Sequence, residues 1–211
     1  MSITIIIIIL TCLISYQAFG NPEFKSKLLF FPVAIKRSGQ YYRFVTGGLI
    51  HADWGHLLIN MYVLYQFGEF TEAVFNNLFG PLIGRLVYLL FYLSAIVFAA
   101  LPSYTRHQDN YGYAALGASG ATSALVFAYI LFNPWQWFIF PPLPAIIFGA
   151  AYLWYSSYMD KRGSDNIGHY EHFWGAVYGV VFILTIAISA KPGLLNYFIQ
   201  QLAAGPGAFH F

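Results

Sequence analysis

Ser119 lies in Gly117-Ala118-Ser119-Gly120, just ahead of Leu125–Phe132, a run with no charge. A serine hydroxyl is a weak nucleophile until a base takes its proton, and histidine is the side chain suited to that near neutral pH. His172 opens a second apolar run, His172-Phe173-Trp174-Gly175-Ala176-Val177-Tyr178-Gly179. At about 100° per residue on a helix, His172, Gly175 and Gly179 share one narrow stripe. Small residues on a stripe let another helix approach closely. Gly117, Gly120 and Ala124, beside Ser119 and Ser123, form a matching surface. If the two faces meet at their starts, His172 lies against Ser119. The chemistry of such a dyad is acyl transfer, which needs donors aimed at the developing oxyanion. His56 and Asn60, four residues apart and so on one helix face, are two candidates. The N–H of Ser119, at a helix N-terminus, is a third.

These residues must be positioned inside a bilayer. The 211-residue chain is 59% hydrophobic and 9% charged, against about 25% charged in a soluble domain. Its apolar runs approach the roughly 20 residues that a span requires. The composition predicts an all-α, polytopic membrane protein forming one domain over residues 1–211. Its six spans fall near residues 2–19, 53–74, 82–101, 115–132, 137–159 and 171–190. The segment 2–19 has no basic n-region, so it reads as a spanning helix, with a cleaved secretory signal as the alternative. Pro141, Pro142 and Pro144 disturb the first turns of the fifth span. A net charge of +2 argues against nucleic acid as a partner. The single cysteine, Cys12, allows neither an internal disulfide nor a thiolate metal site.

Each residue also has a plainer reading. Ser119 alone is a helix-packing residue, and His172 alone is interfacial. His56 and Asn60 could bridge helices. Glu69 and Glu72 suit interhelical hydrogen bonds or the interface, and His51 and His169 the membrane surface. A metal site from His51, His56 and His172 has no HExxH pattern or thiolate behind it. Glu171 points about 100° away from His172 and is not read as a third member of the dyad.

Taken together, the motifs resemble those of the rhomboid family of intramembrane serine proteases. Leu49–Glu72, with His51, His56, Asn60 and Glu72, resembles the family's second-span signature. Gly117-Ala118-Ser119-Gly120 resembles its GxSG, and His172-Phe173-Trp174-Gly175 through Gly179 its HxxGxxxG. Tyr42-Arg43 resembles the Trp-Arg pair of the first loop. The resemblance spans roughly residues 40–190. It implies a Ser119 nucleophile and a His172 base, with His56 and Asn60 at the oxyanion. It implies backbone roles for Gly117 and Gly120, packing roles for Gly175 and Gly179, and structural roles for Arg43, His51 and Glu72. It further implies no metal or cofactor, substrates that are single-span membrane proteins cut near their outer ends, and a fifth span that serves as a gate. Ser123 stands where some members place an aromatic against the histidine, which changes how the base is held.

The family topology, N-terminus inside, puts Lys25, Lys27, Lys36, Arg37, Arg43, Arg106, Lys161 and Arg162 outside and leaves only Arg85 and Lys191 inside. The positive-inside rule predicts the reverse; an embedded first loop is not the short, flexible loop to which that rule applies. The compact six-span form suggests a bacterial inner membrane. Two rival functions stand beside proteolysis. One is a silent rhomboid-like protein that binds membrane clients. The other is a small transporter, for which paired mid-membrane carboxylates or inverted repeats are expected.

Overall fold

In α1 (Ile3–Gly20) the usual amphipathic pattern is inverted. Its buried positions are Thr4, Ile7, Thr11, Ser15 and Ala18, a stripe of mostly small and polar side chains, while Ile9, Leu10 and Leu13 are exposed. This suits a helix whose outer face meets lipid and whose inner face must pack closely and hydrogen-bond. We describe residues 1–139, 141–163 and 167–206 of a computed structural model of the chain.

Three short helices, α2 (Pro22–Leu28), α3 (Pro32–Ser38) and α4 (Arg43–Thr46), follow, then a single 3-10 turn at Gly47–Leu49. Five longer helices come next: α5 (Trp54–Phe79), α6 (Pro81–His107), α7 (Ser119–Phe132), α8 (Ala145–Arg162) and α9 (His169–Ser189). The chain then forms α10 (Gly193–Ala203). Two isolated bridges are the only extended pairings among the described residues. By length and apolarity, α1, α6 and α9 can cross a membrane, and α7 is a shorter apolar helix.

Helix α7 is the centre of the bundle. It packs on α5, α6, α8 and α9, and ten of its 14 residues are buried. Its tightest partner is α9. A Cβ added at Gly175 would lie 2.0 Å from the Gly120 carbonyl oxygen, and one at Gly179 would lie 2.3 Å from that of Ala124. Only glycine allows backbones so close.

Several span boundaries differ from expectation: α5 runs on to Phe79, α7 starts only at Ser119, and two further ends turn on proline. The fifth helix starts at Ala145, not near 137. The prolines precede it: Leu143 N bonds to the Pro141 carbonyl, and Trp137 bridges Pro144. A residue before proline is steered away from helix, so the chain turns first and Pro144 serves as the N-cap. The third helix runs past the expected end at 101, through Pro102 to His107. Pro102 forfeits one backbone bond, and Ser103 beyond it is buried.

The loop between α1 and α5 is held by Arg43. Its Nη1 donates to the carbonyls of Ser26 (2.9 Å) and Leu29 (2.8 Å), and its Nε donates to Gln40 Oε1 (2.6 Å). Three other cations on that side of the bundle are paired: Lys27 with Glu23, Lys36 with Asp109 and Arg106 with Asp160.

Candidate functional site

Ser119 is the first residue of α7, after Ala118 as N-cap. The first N–H groups of any helix lack an intrahelical acceptor, so those opening α7 are available to a ligand. Two features hold the approach to Ser119. Gly117 has φ +115°, a conformation that suits glycine, and its N–H donates to the Gly47 carbonyl at 2.8 Å. The Ala118 N–H donates to His51 Nε2 at 3.3 Å.

His51 is fully buried, not at the membrane surface as expected. Its Nδ1 lies 3.0 Å from Ser15 Oγ, and that hydroxyl donates to the Leu49 carbonyl at 3.0 Å. The geometry therefore fixes the tautomer: Nδ1–H donates to Ser15 and Nε2 accepts from Ala118. Burial, reinforced by His56 and opposed by Asp53, lowers the His51 pKa to about 3, so the ring is neutral. His169, likewise expected at the surface, is buried at the start of α9.

His56 is set by the first turn of α5, where Asp53 accepts from the His56 N–H at 2.8 Å. Its Nδ1 accepts from the Ala52 N–H at 3.4 Å, which leaves the proton of the neutral ring on Nε2. That edge lies against Gly117: a Cβ there would stand 2.7 Å from His56 Cε1 and 2.9 Å from Nε2. One turn along, Asn60 is buried, with Nδ2 on the His56 carbonyl (2.9 Å) and Oδ1 accepting from Thr122 Oγ1 (3.3 Å).

His172 sits in the first turn of α9, three residues before the Gly175 contact, and Ser119 is one residue before Gly120. The two are thus at the same end of the α7–α9 seam. A single cavity of about 1110 Å³ is lined by Ser119, His172, His56 and Asn60. Glu171 lines the same cavity but is engaged by another group: its Oε1 accepts from the Tyr113 hydroxyl at 2.5 Å. Burial, then the nearby carboxylate, pushes the Tyr113 pKa up.

Of the other candidates, Gly120, Gly175 and Gly179 lie in the seam and Gly117 lies against His56. Arg43 and Glu72 are away from the cavity. Glu72 Oε1 and Oε2 accept from the N–H groups of Ile3 and Thr4, each at 2.9 Å, capping α1. Glu69 accepts from Ser2 Oγ. Sequence reasoning missed Tyr152 of α8, which lines the same cavity and stacks on His172 with ring centroids 6.2 Å apart. A tyrosine among the many aromatics of this chain has no spacing that would single it out.

The fold and site define a helical membrane protein with serine and histidine brought to one cavity on adjoining helices. The Rhomboid domain matches residues 38–189, and the chain belongs to the rhomboid family. It is an integral membrane protein. It is 28% identical over 159 residues to the RHOMBOID-like protein 12, mitochondrial, of Arabidopsis thaliana, covering 69% of this chain and 46% of that one. It is 30% identical over 155 residues to the Rhomboid-like protein 11, chloroplastic, of the same plant, covering 68% and 51%. The chain thus spans about half the length of these relatives. Neither name supports the bacterial inner membrane suggested by the compact form.

Proposed function

We propose that the protein is a six-span intramembrane serine endopeptidase. Ser119 attacks a peptide bond in the transmembrane segment of a membrane-protein substrate while His172 takes its proton. The tetrahedral oxyanion is met by the Ser119 N–H, His56 Nε2–H and the Asn60 amide. His172 then protonates the departing amine, leaving an acyl ester on Ser119. Water activated by His172 hydrolyses the ester, restoring the serine. The reaction calls on no metal or cofactor.

The observation that carries this reading is the shared cavity: Ser119, His172, His56 and Asn60 arrive from three helices to line one space. The depth of the site adds to it. A 14-residue α7 is about 21 Å long, against a hydrocarbon core of about 30 Å. With its C-terminus at one face, Ser119 begins about 9 Å below the other. At 26 and 18 residues, α5 and α8 are about 39 and 27 Å long, lengths that a six-span reading requires of them.

The test is co-expression with tagged single-span substrates, comparing the intact protein with Ser119→Ala and His172→Ala. A cut product seen only with the intact protein supports the reading. If varied substrates stay whole and a fluorophosphonate leaves Ser119 unlabelled, the protein binds membrane clients without cutting them.

A further inference from the structure

Tyr152 meets His172 directly and Ser119 through Ser123. Its ring is inclined 23° to that of His172, with the centroids 6.2 Å apart. Its hydroxyl lies 2.6 Å from Ser123 Oγ, and that hydroxyl donates to the Ser119 carbonyl at 2.8 Å. Ser123 has one proton, already directed at Ser119, so Tyr152 is the donor in its own pair. A directed chain results: Tyr152 hydroxyl to Ser123 hydroxyl to the peptide of Ser119. Phe127 and Phe148, each with its ring centroid 5.9 Å from that of Tyr152, hold the ring from its other sides.

The contact spans three helices: Ser119 and Ser123 on α7, His172 on α9 and Tyr152 on α8. Ser123 is small and buried, so there is room for a ring from α8 where a bulkier residue on α7 would occupy the site. A stacked ring restricts the rotation of an imidazole about its χ2, which is otherwise broad.

Resting on the Ser119–His172 reading above, we propose that Tyr152 is a positioning residue. Its ring fixes the plane of the base, and its hydroxyl, through Ser123, ties that ring to the nucleophile's own peptide. His169 meets the His172 ring edge-on with centroids 5.9 Å apart, so loss of the Tyr152 ring loosens the base without freeing it. Misplacement by about 1 Å can cost on the order of 100-fold in rate. Partial loss of orientation therefore predicts a fall in kcat of about 10-fold with KM little changed. The hydroxyl contributes less, about 3-fold, the value of one neutral hydrogen bond.

The experiment uses the full chain in detergent and compares Tyr152→Leu, Tyr152→Phe, Ser123→Ala and the double variant Ser123→Ala/Tyr152→Phe. Two readouts are taken: kcat and KM on a cleavable single-span substrate, and the ring resonances of His172 in histidine-labelled protein, assigned with His172→Gln. The expected results are low kcat and a moved His172 resonance in Tyr152→Leu, with both largely restored in Tyr152→Phe. The double variant should be no worse than Ser123→Ala, because that variant already lacks the bond that Tyr152→Phe removes. Wild-type kcat in Tyr152→Leu, or a His172 resonance that does not move, overturns the proposal. If Tyr152→Leu does not fold, Ser123→Ala and the double variant decide it: additive losses overturn the shared-bond assignment. If the wild-type protein cuts nothing, the protease reading fails, and the His172 resonance alone still decides whether Tyr152 sets the ring.

Discussion

His51 Nε2 accepts the N–H of Ala118, one residue before Ser119, at 3.3 Å. A buried, uncharged imidazole thus holds the strand of backbone that presents the serine. Protonating it would replace an acceptor with a donor facing a donor. Its folded pKa of about 3 lies below the ordinary histidine value of about 6.5. Between those values the unfolded chain binds the proton and the folded chain does not, so stability falls as pH drops from about 6.5 toward 3. Thermal unfolding in detergent should show Tm falling over that range, with a shallower dependence in His51→Asn. An unchanged dependence in that variant would assign the acid sensitivity to other groups.

The glycine seam should be intolerant of any side chain. Gly175→Ala places a methyl group on the Gly120 carbonyl, and overpacking of this kind costs about 1–3 kcal/mol. Because His172 is one turn away, the same variant should lose activity beyond what its Tm explains. Gly193, with open space around it, is the matched control, and Gly193→Ala should leave both readouts near wild type.

Removing an oxyanion donor should reduce turnover more than binding. With Nε2–H of His56 beside Gly117, His56→Ala is expected to lower kcat by about 100- to 1000-fold while KM changes little. Steady-state kinetics on a single-span substrate measures it. Equal loss in KM would place His56 in substrate binding instead.

Glu72→Gln should destabilise the protein without touching the cavity. The carboxylate accepts two backbone N–H groups at the start of α1, and Thr4 Oγ1 lies 2.9 Å from Oε2. An amide has one acceptor oxygen, so at least one buried donor is stranded, at a cost of about 1–3 kcal/mol. Chemical or thermal unfolding reads the loss; the rate per folded molecule should stay near wild type.

Much of this was legible in the sequence. The stripe of His172, Gly175 and Gly179 pointed to a seam with Gly120 and Ala124, because the absence of side chains at helical spacing has one common use. Composition pointed to membrane helices. Helix ends were harder: Pro102 is crossed by α6, whereas Pro144 begins α8, and proline type alone does not separate those cases. The burial of His51 and His169 was missed because a histidine near a predicted span end suits either water or a backbone partner. Tyr152 was illegible because its role depends on how α8 packs, and no local pattern encodes that.

The segment matched to the family begins at residue 38, yet three of its buried polar side chains bond outside it, Arg43 to the Ser26 and Leu29 carbonyls among them. Glu72 is bonded to Ile3 and Thr4, near one end of α1, and His51 to Ser15, toward the other. A protein trimmed to residues 38–189 would keep every proposed site residue and still lose the α1 partners of the Glu72 carboxylate and the His51 Nδ1. In this sense α1 is a structural cofactor supplied in cis, and adding it back as a separate peptide is a means of measuring how much of the active geometry it supports.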